Sequence, residues 1–238
     1  NGINLEVMPK ETIAIIGPNG AGKTTFYNMV SGRMLPTEGK ITLDGQDITG
    51  LPPHKISRLG VSRSFQINNI FPEMTVQENV EVVLSAYHGH SRKLFNIASR
   101  NTGIQQEAVE YLKRLGIDGL KDQRAEVISY GDKRLLEIPL VLATQPKLVL
   151  LDEPTDGLDP NQKRAVRALI ARMAPRKAIV ISTHTLTEVP AMCTRAIVVD
   201  RGRIVADETP EGLLKQSADG TLESAFTRLT DQAEAESA

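Results

Sequence analysis

Nine residues near the start of the chain, Gly17 to Thr25, have the sequence GPNGAGKTT. Glycines at this spacing let successive backbone N–H groups surround a phosphate, and a helix beginning at Lys23 adds the positive end of its dipole. Lys23 can reach the β- and γ-phosphates of a nucleotide, and the Thr24 hydroxyl can bind Mg²⁺. A flexible glycine turn is the alternative, but the apolar run IAII before the loop favours a nucleotide site. The candidate nucleotide-binding residues are Gly17, Pro18, Asn19, Gly20, Ala21, Gly22, Lys23, Thr24 and Thr25.

A second candidate group is LVLLDEP, residues 148–154, in which four aliphatic residues precede two acids. The aliphatic run predicts a buried strand, and ligands bind at the carboxyl end of strands in a parallel sheet. Asp152 would then bind Mg²⁺, and Glu153 would act as base or orient the attacking water. A strand that merely ends in solvated carboxylates is the alternative, which the upstream phosphate loop disfavours.

His184 follows another apolar run, in ISTHT. A strand parallel to its neighbours would bring this imidazole to the same phosphate. A single histidine is more often structural, and we assign a structural role to His54, His88 and His90.

The elements that must position these residues alternate between strands and helices. Continuous apolar runs predict strands at Ile13–Ile16 and in LVLL and AIVIS, and 3.6-residue periodicity predicts helices between them. The predicted fold class is α/β, a P-loop NTPase (RecA-like) fold with a mostly parallel sheet, an N-terminal antiparallel β region and an inserted α-helical subdomain. The predicted core comprises residues 1–66 and 146–210, the helical subdomain 67–145, and a C-terminal helix with a flexible tail 211–238.

Composition excludes several classes of protein. With a net charge of −1, the chain has neither the basic excess expected of a nucleic-acid-binding protein nor the acidic excess expected of a disordered one. Cys193 is the one cysteine, which excludes an internal disulfide and predicts a small buried residue. The apolar runs have strand length and fall short of a membrane span.

With these residues in place, the sequence resembles the ATP-binding cassette (ABC) ATPase subunit of transporters over nearly its whole length. Gln66 in SFQ is similar to the family's Q-loop, ISYGDKR to its signature motif and Asp159 in GLDP to its D-loop, while His184 resembles the switch histidine. Six motifs in order make the resemblance specific, whereas a phosphate loop alone would leave kinases, GTPases and RecA-like motors open.

The resemblance implies two ATPase subunits, identical or different, that pack head to tail with ATP between them. Ser129 and Gly131 would contact the γ-phosphate held by the partner, and Gln66 would sense Mg²⁺ and water. The signature residues are Ser129, Tyr130, Gly131 and Asp132. The implied partners are transmembrane permease subunits, with a periplasmic substrate-binding protein as a further candidate, and not nucleic acid. The implied location is the cytoplasmic face of the inner membrane.

The signature motif departs from the family's usual Leu-Ser-Gly-Gly-Gln, because Tyr130 replaces a glycine and Asp132 the glutamine. A Ser-Tyr-Gly core and the segment around Gln66 resemble importers of branched-chain amino acids. The C-terminal third is closer to ATPases of drug and polysaccharide exporters. We favour import, because the Q-loop and helical subdomain are the parts that touch the permease in this family.

Three further expectations concern the backbone and the ends of the chain. No aromatic residue precedes Phe26, so the family's first strand and its adenine-stacking aromatic are expected to be missing from this sequence. Pro139 lies in the helix after the signature and should kink or interrupt it. Residues 232–238, QAEAESA, should be disordered.

Two other classes of function remain open on the sequence alone. A soluble ABC ATPase acting on ribosomes or DNA would usually carry two cassettes or a coiled-coil insertion, which this sequence lacks. A non-catalytic nucleotide switch is disfavoured by the presence of Lys23, Asp152, Glu153 and His184.

Overall fold

A computed structural model describes residues 2–64, 70–89, 102–217 and 219–237 of the chain. These residues form two compact units. The first comprises 1–61, 147–153 and 173–238, and the second comprises 62–146 and 154–172. Gln66 and His90 lie outside the described residues. Among the residues that are described, no helix combines the length and the apolar character needed to cross a bilayer.

The first unit is built on strands that lie side by side in the order β5-β6-β1-β7-β8. The first four are mutually parallel, and β7 and β8 form an antiparallel hairpin. The predicted α/β fold with a mostly parallel sheet is thereby confirmed. The strands are β1 (Thr12–Ile16), β5 (Leu148–Asp152), β6 (Ala178–Ser182), β7 (Arg195–Asp200) and β8 (Arg203–Glu208). The strand β4 (Val61–Arg63) begins where the chain passes into the second unit.

The central strands are buried on both faces, which explains their continuous aliphatic sequences. Ile13, Ile15, Leu150, Val180 and Ile197 belong to one hydrophobic cluster, and each is at most 2% exposed. Helices and a small hairpin of β2 and β3 complete this unit. The remaining elements of the first unit are β2 (Thr42–Leu43), β3 (Gln46–Asp47), α1 (Lys23–Val30), α2 (Pro53–Leu59), α7 (Val189–Met192), α8 (Pro210–Lys215), α9 (Leu222–Ser237) and a 3₁₀ turn (Leu186–Glu188).

The hairpin between β2 and β3 turns at Asp44-Gly45. Both residues have positive φ, 49° and 78°, which is the conformation that two-residue hairpins require and that Asp-Gly favours. Among the named strands that the structure describes, this hairpin and the β7–β8 hairpin are antiparallel, and an isolated antiparallel bridge joins Thr75 and Arg124 in the second unit.

The second unit is helical. Its helices are α3 (Val76–Tyr87), α4 (Thr102–Leu115), α5 (Tyr130–Leu142) and α6 (Pro160–Met173), with a 3₁₀ turn at Asp118–Leu120. Thr75 and Glu78 form a capping box at the start of α3. Helices α4 and α6 each bury an apolar stripe, formed in α4 by Ala108, Leu112 and Leu115 and in α6 by Val166, Leu169, Ile170 and Met173.

Three expectations about the backbone were wrong. The expected N-terminal β region does not form at residues 3–7, where apolar and polar residues alternate but no strand occurs, and the Glu6 carbonyl accepts from the Arg195 side chain at 3.0 Å and not from a neighbouring strand. Helix α5 continues through Pro139 to Leu142, so the expected interruption is absent, while a kink at Pro139 stays a prediction. Helix α9 continues to Ser237, whereas we expected disorder after Asp231, because alanine and glutamate favour helix even in a polar segment.

Cys193 is buried, as expected, and its burial raises the pKa of the thiol to about 12. At neutral pH the thiol therefore stays protonated and behaves as a small apolar side chain.

Candidate active site

The glycine-rich loop joins the end of β1 to the start of α1. Gly20 and Gly22 have φ of 83° and 103°, in the left-handed region that side chains with a Cβ disfavour. Gly22 is also the residue that precedes the first turn of α1. The chain can therefore bend back on itself and expose the free N–H groups at the beginning of a helix.

A second segment of the first unit supports this loop from behind. The turn between β7 and β8 donates a hydrogen bond from the Gly202 N–H to the Ala21 carbonyl, at 2.9 Å. A Cβ on Gly17 would overlap the Val199 carbonyl oxygen, so only glycine fits there. Two glycines in this loop thus allow the left-handed turns, and Gly17 allows close backbone packing.

Replacing Gly17 by alanine should lower the melting temperature by about 5 °C, because an overpacked contact costs roughly 1–3 kcal/mol. Gly119→Ala is the matched control, since no heavy atom lies within 4 Å of the Cβ it would gain. Thermal unfolding followed by circular dichroism measures both variants. Equal melting temperatures for the two variants would contradict the close packing at Gly17.

Lys23 lies at the first position of α1, with its ammonium group turned into the loop. Its Nζ donates to the carbonyl oxygens of Gly17, at 2.6 Å, and of Pro18, at 3.0 Å. Burial lowers the pKa of Lys23, and the charges of Glu153 and Asp152 oppose that shift. Lys23 follows β1 and the two acids lie at the end of β5, and both strands are parallel neighbours of β6, so the three charged groups lie at the same edge of the sheet.

The two acids lie at the carboxyl end of β5, beside the end of β6. Asp152 pairs in register with Ser182, whose hydroxyl donates a hydrogen bond to the Asp152 carboxylate. The Glu153 N–H donates to the Ser182 carbonyl at 3.0 Å. Glu153 has a φ of 48°, an unusual conformation for a residue other than glycine. Such strained backbone is concentrated at functional sites, where neighbouring contacts hold it in place.

His184 follows β6 and reaches the same carboxylate. Its Nδ1 lies 3.0 Å from Glu153 Oε1, while more than half of the imidazole side chain remains exposed. Imidazole and carboxylate can therefore share a hydrogen bond while both face solvent. This arrangement suits a carboxylate that must hold a water molecule and an imidazole that fixes its orientation.

Two residues of the site were not predicted from sequence. Ser182 is identified only by its strand register beside Asp152. Tyr27 is fully buried in α1, and its hydroxyl donates to the Leu151 carbonyl at 3.2 Å. This bond ties the helix after the glycine loop to the strand before Asp152. Both depend on which strands are neighbours, which local sequence patterns do not reveal.

The signature residues and Asp159 belong to the second unit. Ser129 is the N-terminal cap of α5, and its Oγ accepts a hydrogen bond from the Asp132 N–H at 3.1 Å. Ser129 and Tyr130 are exposed, Gly131 is buried and Asp132 is half-buried. Asp159 caps the start of α6 by accepting from the Asn161 and Gln162 N–H groups at 2.8 and 2.9 Å.

Comparison with known proteins identifies the family of the chain. Residues 1–156 match the family described as ABC transporter. The chain is 38% identical over 221 residues to the high-affinity branched-chain amino acid transport ATP-binding protein BraF of Pseudomonas aeruginosa, covering 89% of this chain and 86% of BraF. It is 35% identical over 213 residues to the lipopolysaccharide export system ATP-binding protein LptB of Haemophilus influenzae, covering 89% and 85%.

Solved structures lead to the same family. A dimeric ATP-binding cassette in a post-hydrolysis state, bound to ADP and Pi, superposes with a TM-score of 0.75 at 25% identity, covering 87% of this chain and 89% of that one. The glycine loop, the acids at the end of β5 and the histidine after β6 thus occur in a chain whose relatives are named as ATP-binding proteins. The chain therefore belongs to the ABC transporter family, as one of its ATP-hydrolysing subunits.

Proposed function

We propose that the chain hydrolyses ATP at the site formed by the glycine loop, Asp152, Glu153 and His184, and that this hydrolysis powers amino-acid import. The observation that carries the proposal is the strand arrangement: β1 and β5 both pair in parallel with β6, so the glycine loop and the two acids lie at the same edge of the sheet, where His184 contacts Glu153 at 3.0 Å. Two relatives that are 38% identical are named as branched-chain amino acid transport proteins, which supports branched-chain or other hydrophobic amino acids as the cargo.

Each group of the site has a task in this proposal. The loop amides and Lys23 hold the β- and γ-phosphates by charge-assisted hydrogen bonds. Glu153 accepts a hydrogen bond from the attacking water and orients it toward the γ-phosphate. His184 fixes the Glu153 carboxylate, as their 3.0 Å contact supports. Asp159 is the candidate D-loop residue.

Magnesium fits the oxygen donors that this site offers. The exposed Thr24 hydroxyl and the Asp152 carboxylate are hard oxygen ligands, the kind that Mg²⁺ prefers. Gln66 is the third candidate protein ligand. Mg²⁺ held there would neutralise charge on the β- and γ-phosphates. The hydroxyl of Ser182 holds Asp152 in place through its hydrogen bond to the carboxylate.

A second ATPase subunit would complete the nucleotide site. We propose that Ser129, Tyr130, Gly131 and Asp132 face ATP held by the partner, because Ser129 caps the N-terminus of a 13-residue helix and is exposed. The dimeric structural relative supports pairing of this kind. Transmembrane permease subunits and a periplasmic binding protein would complete the importer at the cytoplasmic face of the inner membrane.

Export is the second candidate, favoured by the 35% identity to a lipopolysaccharide export protein and by the C-terminal third of the sequence. Uptake of radiolabelled leucine separates the two. Cells that lack the chain should lose leucine uptake. Uptake should return when the parent chain is expressed in these cells, but not when Glu153→Gln is expressed. Uptake of a sugar serves as control. Unchanged leucine uptake in the deleted cells would contradict the import proposal.

A further inference from the structure

Residues 129–132, the signature turn, are joined to residues 157–159, the Asp159 loop, by a chain of hydrogen bonds within the second unit. The Asp132 carboxylate lies between two donors: the Ser129 hydroxyl donates to its Oδ2 at 2.6 Å, and Gln162 Nε2 donates to its Oδ1 at 3.2 Å. Because the hydroxyl of Ser129 carries one proton, Asp132 determines where that proton points. Gln162 determines in turn where the second carboxylate oxygen lies.

Gln162 is itself held at its other end. Its side-chain Oε1 accepts from the Asp159 N–H at 3.2 Å, and its own N–H donates to Asp159 Oδ1 at 2.9 Å. The two ends of one amide group therefore contact the two loops, with the nitrogen on Asp132 and the oxygen on Asp159. A side-chain amide can donate at one end and accept at the other, which is what this position between the two loops requires.

Two glycines allow these loops to approach each other. A Cβ on Gly131 would overlap the Gln162 amide, and a Cβ on Gly157 would lie 3.0 Å from the Tyr130 ring. The Gln162 amide thus packs against the signature turn at Gly131, and the Tyr130 ring packs against the Asp159 loop at Gly157. Tyr130 and Asp132 are also the positions at which this signature departs from the usual motif, so the contacts depend on this chain's own residues.

We propose that Gln162 is a positioning residue for ATP turnover, which fixes the Asp132 carboxylate, and through it the Ser129 hydroxyl, to the Asp159 loop of the same subunit. This inference rests on the proposed function, in which Ser129 faces the partner's ATP. A turn that already has its binding conformation before ATP arrives loses less conformational freedom when ATP binds. Because Gln162 touches both loops, the serine and Asp159 keep one fixed separation when the dimer closes.

Exchanging the charges of the pair tests this inference. Gln162→Glu keeps an acceptor for the Asp159 N–H but sets an oxygen against Asp132, so kcat/KM for ATP should fall about tenfold. Asp132→Asn alone should cause a smaller loss, since one amide oxygen must then serve two donors. In the double variant, the amide introduced at position 132 can donate to the carboxylate introduced at position 162 and still accept from Ser129. Its kcat/KM should return to within about threefold of the parent.

A matched control and a second cycle keep the test decisive. Gln123→Glu introduces the same charge at an exposed position of the same unit and should match the parent. Melting temperatures report folding. If Gln162→Glu unfolds at the assay temperature, Gln162→Ala replaces it, and Asp132→Asn should then cost nothing further. Additive losses in either cycle, or parental turnover of Gln162→Glu, would overturn the inference.

The failure of the underlying proposal would look different. Ser129→Glu places bulk and negative charge where the partner's phosphate is proposed to bind, and turnover should be lost. If Ser129→Glu hydrolyses ATP like the parent, the proposed role of the signature turn is wrong. If that variant is inactive but the charge exchange fails to restore turnover, only the role of Gln162 is wrong.

Discussion

Glu153→Gln should reduce kcat for ATP hydrolysis by about 10²–10⁴-fold, the usual contribution of a general base, while nucleotide binding is retained. Glutamine has nearly the same shape and leaves the backbone bond from residue 153 to the Ser182 carbonyl intact. It lacks the negative charge that orients and activates water, and it presents a neutral amide to His184 in place of a carboxylate. Phosphate release and binding of a fluorescent ATP analogue measure the two effects separately.

The control for this variant is Glu211→Gln, which removes an exposed carboxylate from α8 in the same unit. It should hydrolyse ATP at the parental rate. Parental phosphate release by Glu153→Gln would show that Glu153 is not the group that acts on water.

Lys23→Met should weaken ATP binding by roughly 10- to 100-fold, because a hydrogen bond to a charged group contributes about 1.5–3 kcal/mol. Methionine has similar length and fills the same space, but it cannot donate to phosphate or to the Gly17 and Pro18 carbonyls. Titration calorimetry with ATP and Mg²⁺ measures the affinity.

Lys55→Met is the matched control, since Lys55 lies exposed on α2 in the same unit. Its affinity for ATP should equal that of the parent. Parental affinity in Lys23→Met would mean that the ammonium group contacts the loop alone and not the nucleotide.

The elements that carry the candidate site were predictable because their sequence patterns are local. Strands β1 and β5 are short aliphatic runs buried on both faces, and each is followed at once by its functional residues. The loop from Gly17 to Gly22 requires glycine at two left-handed positions. A strand, a tight turn and a helix in succession leave few other structures for that segment.

What the sequence did not reveal depends on contacts between distant segments. Ser182 and Tyr27 support the site only because β6 lies beside β5 and α1 packs near Leu151. Pro139 removes one N–H from α5, yet the helix continues because nine of its other residues are buried and packed. In each case tertiary packing, which no local pattern encodes, decides the outcome.

Light scattering on Glu153→Gln in the presence of ATP tests the central claim, that the nucleotide is held between the glycine loop of one subunit and the signature turn of another. With ATP and Mg²⁺ the measured mass should be twice the 26.0 kDa of the chain, and with ATP and EDTA it should fall to that of one chain. A mass of one chain under both conditions, with ATP bound, would contradict the account.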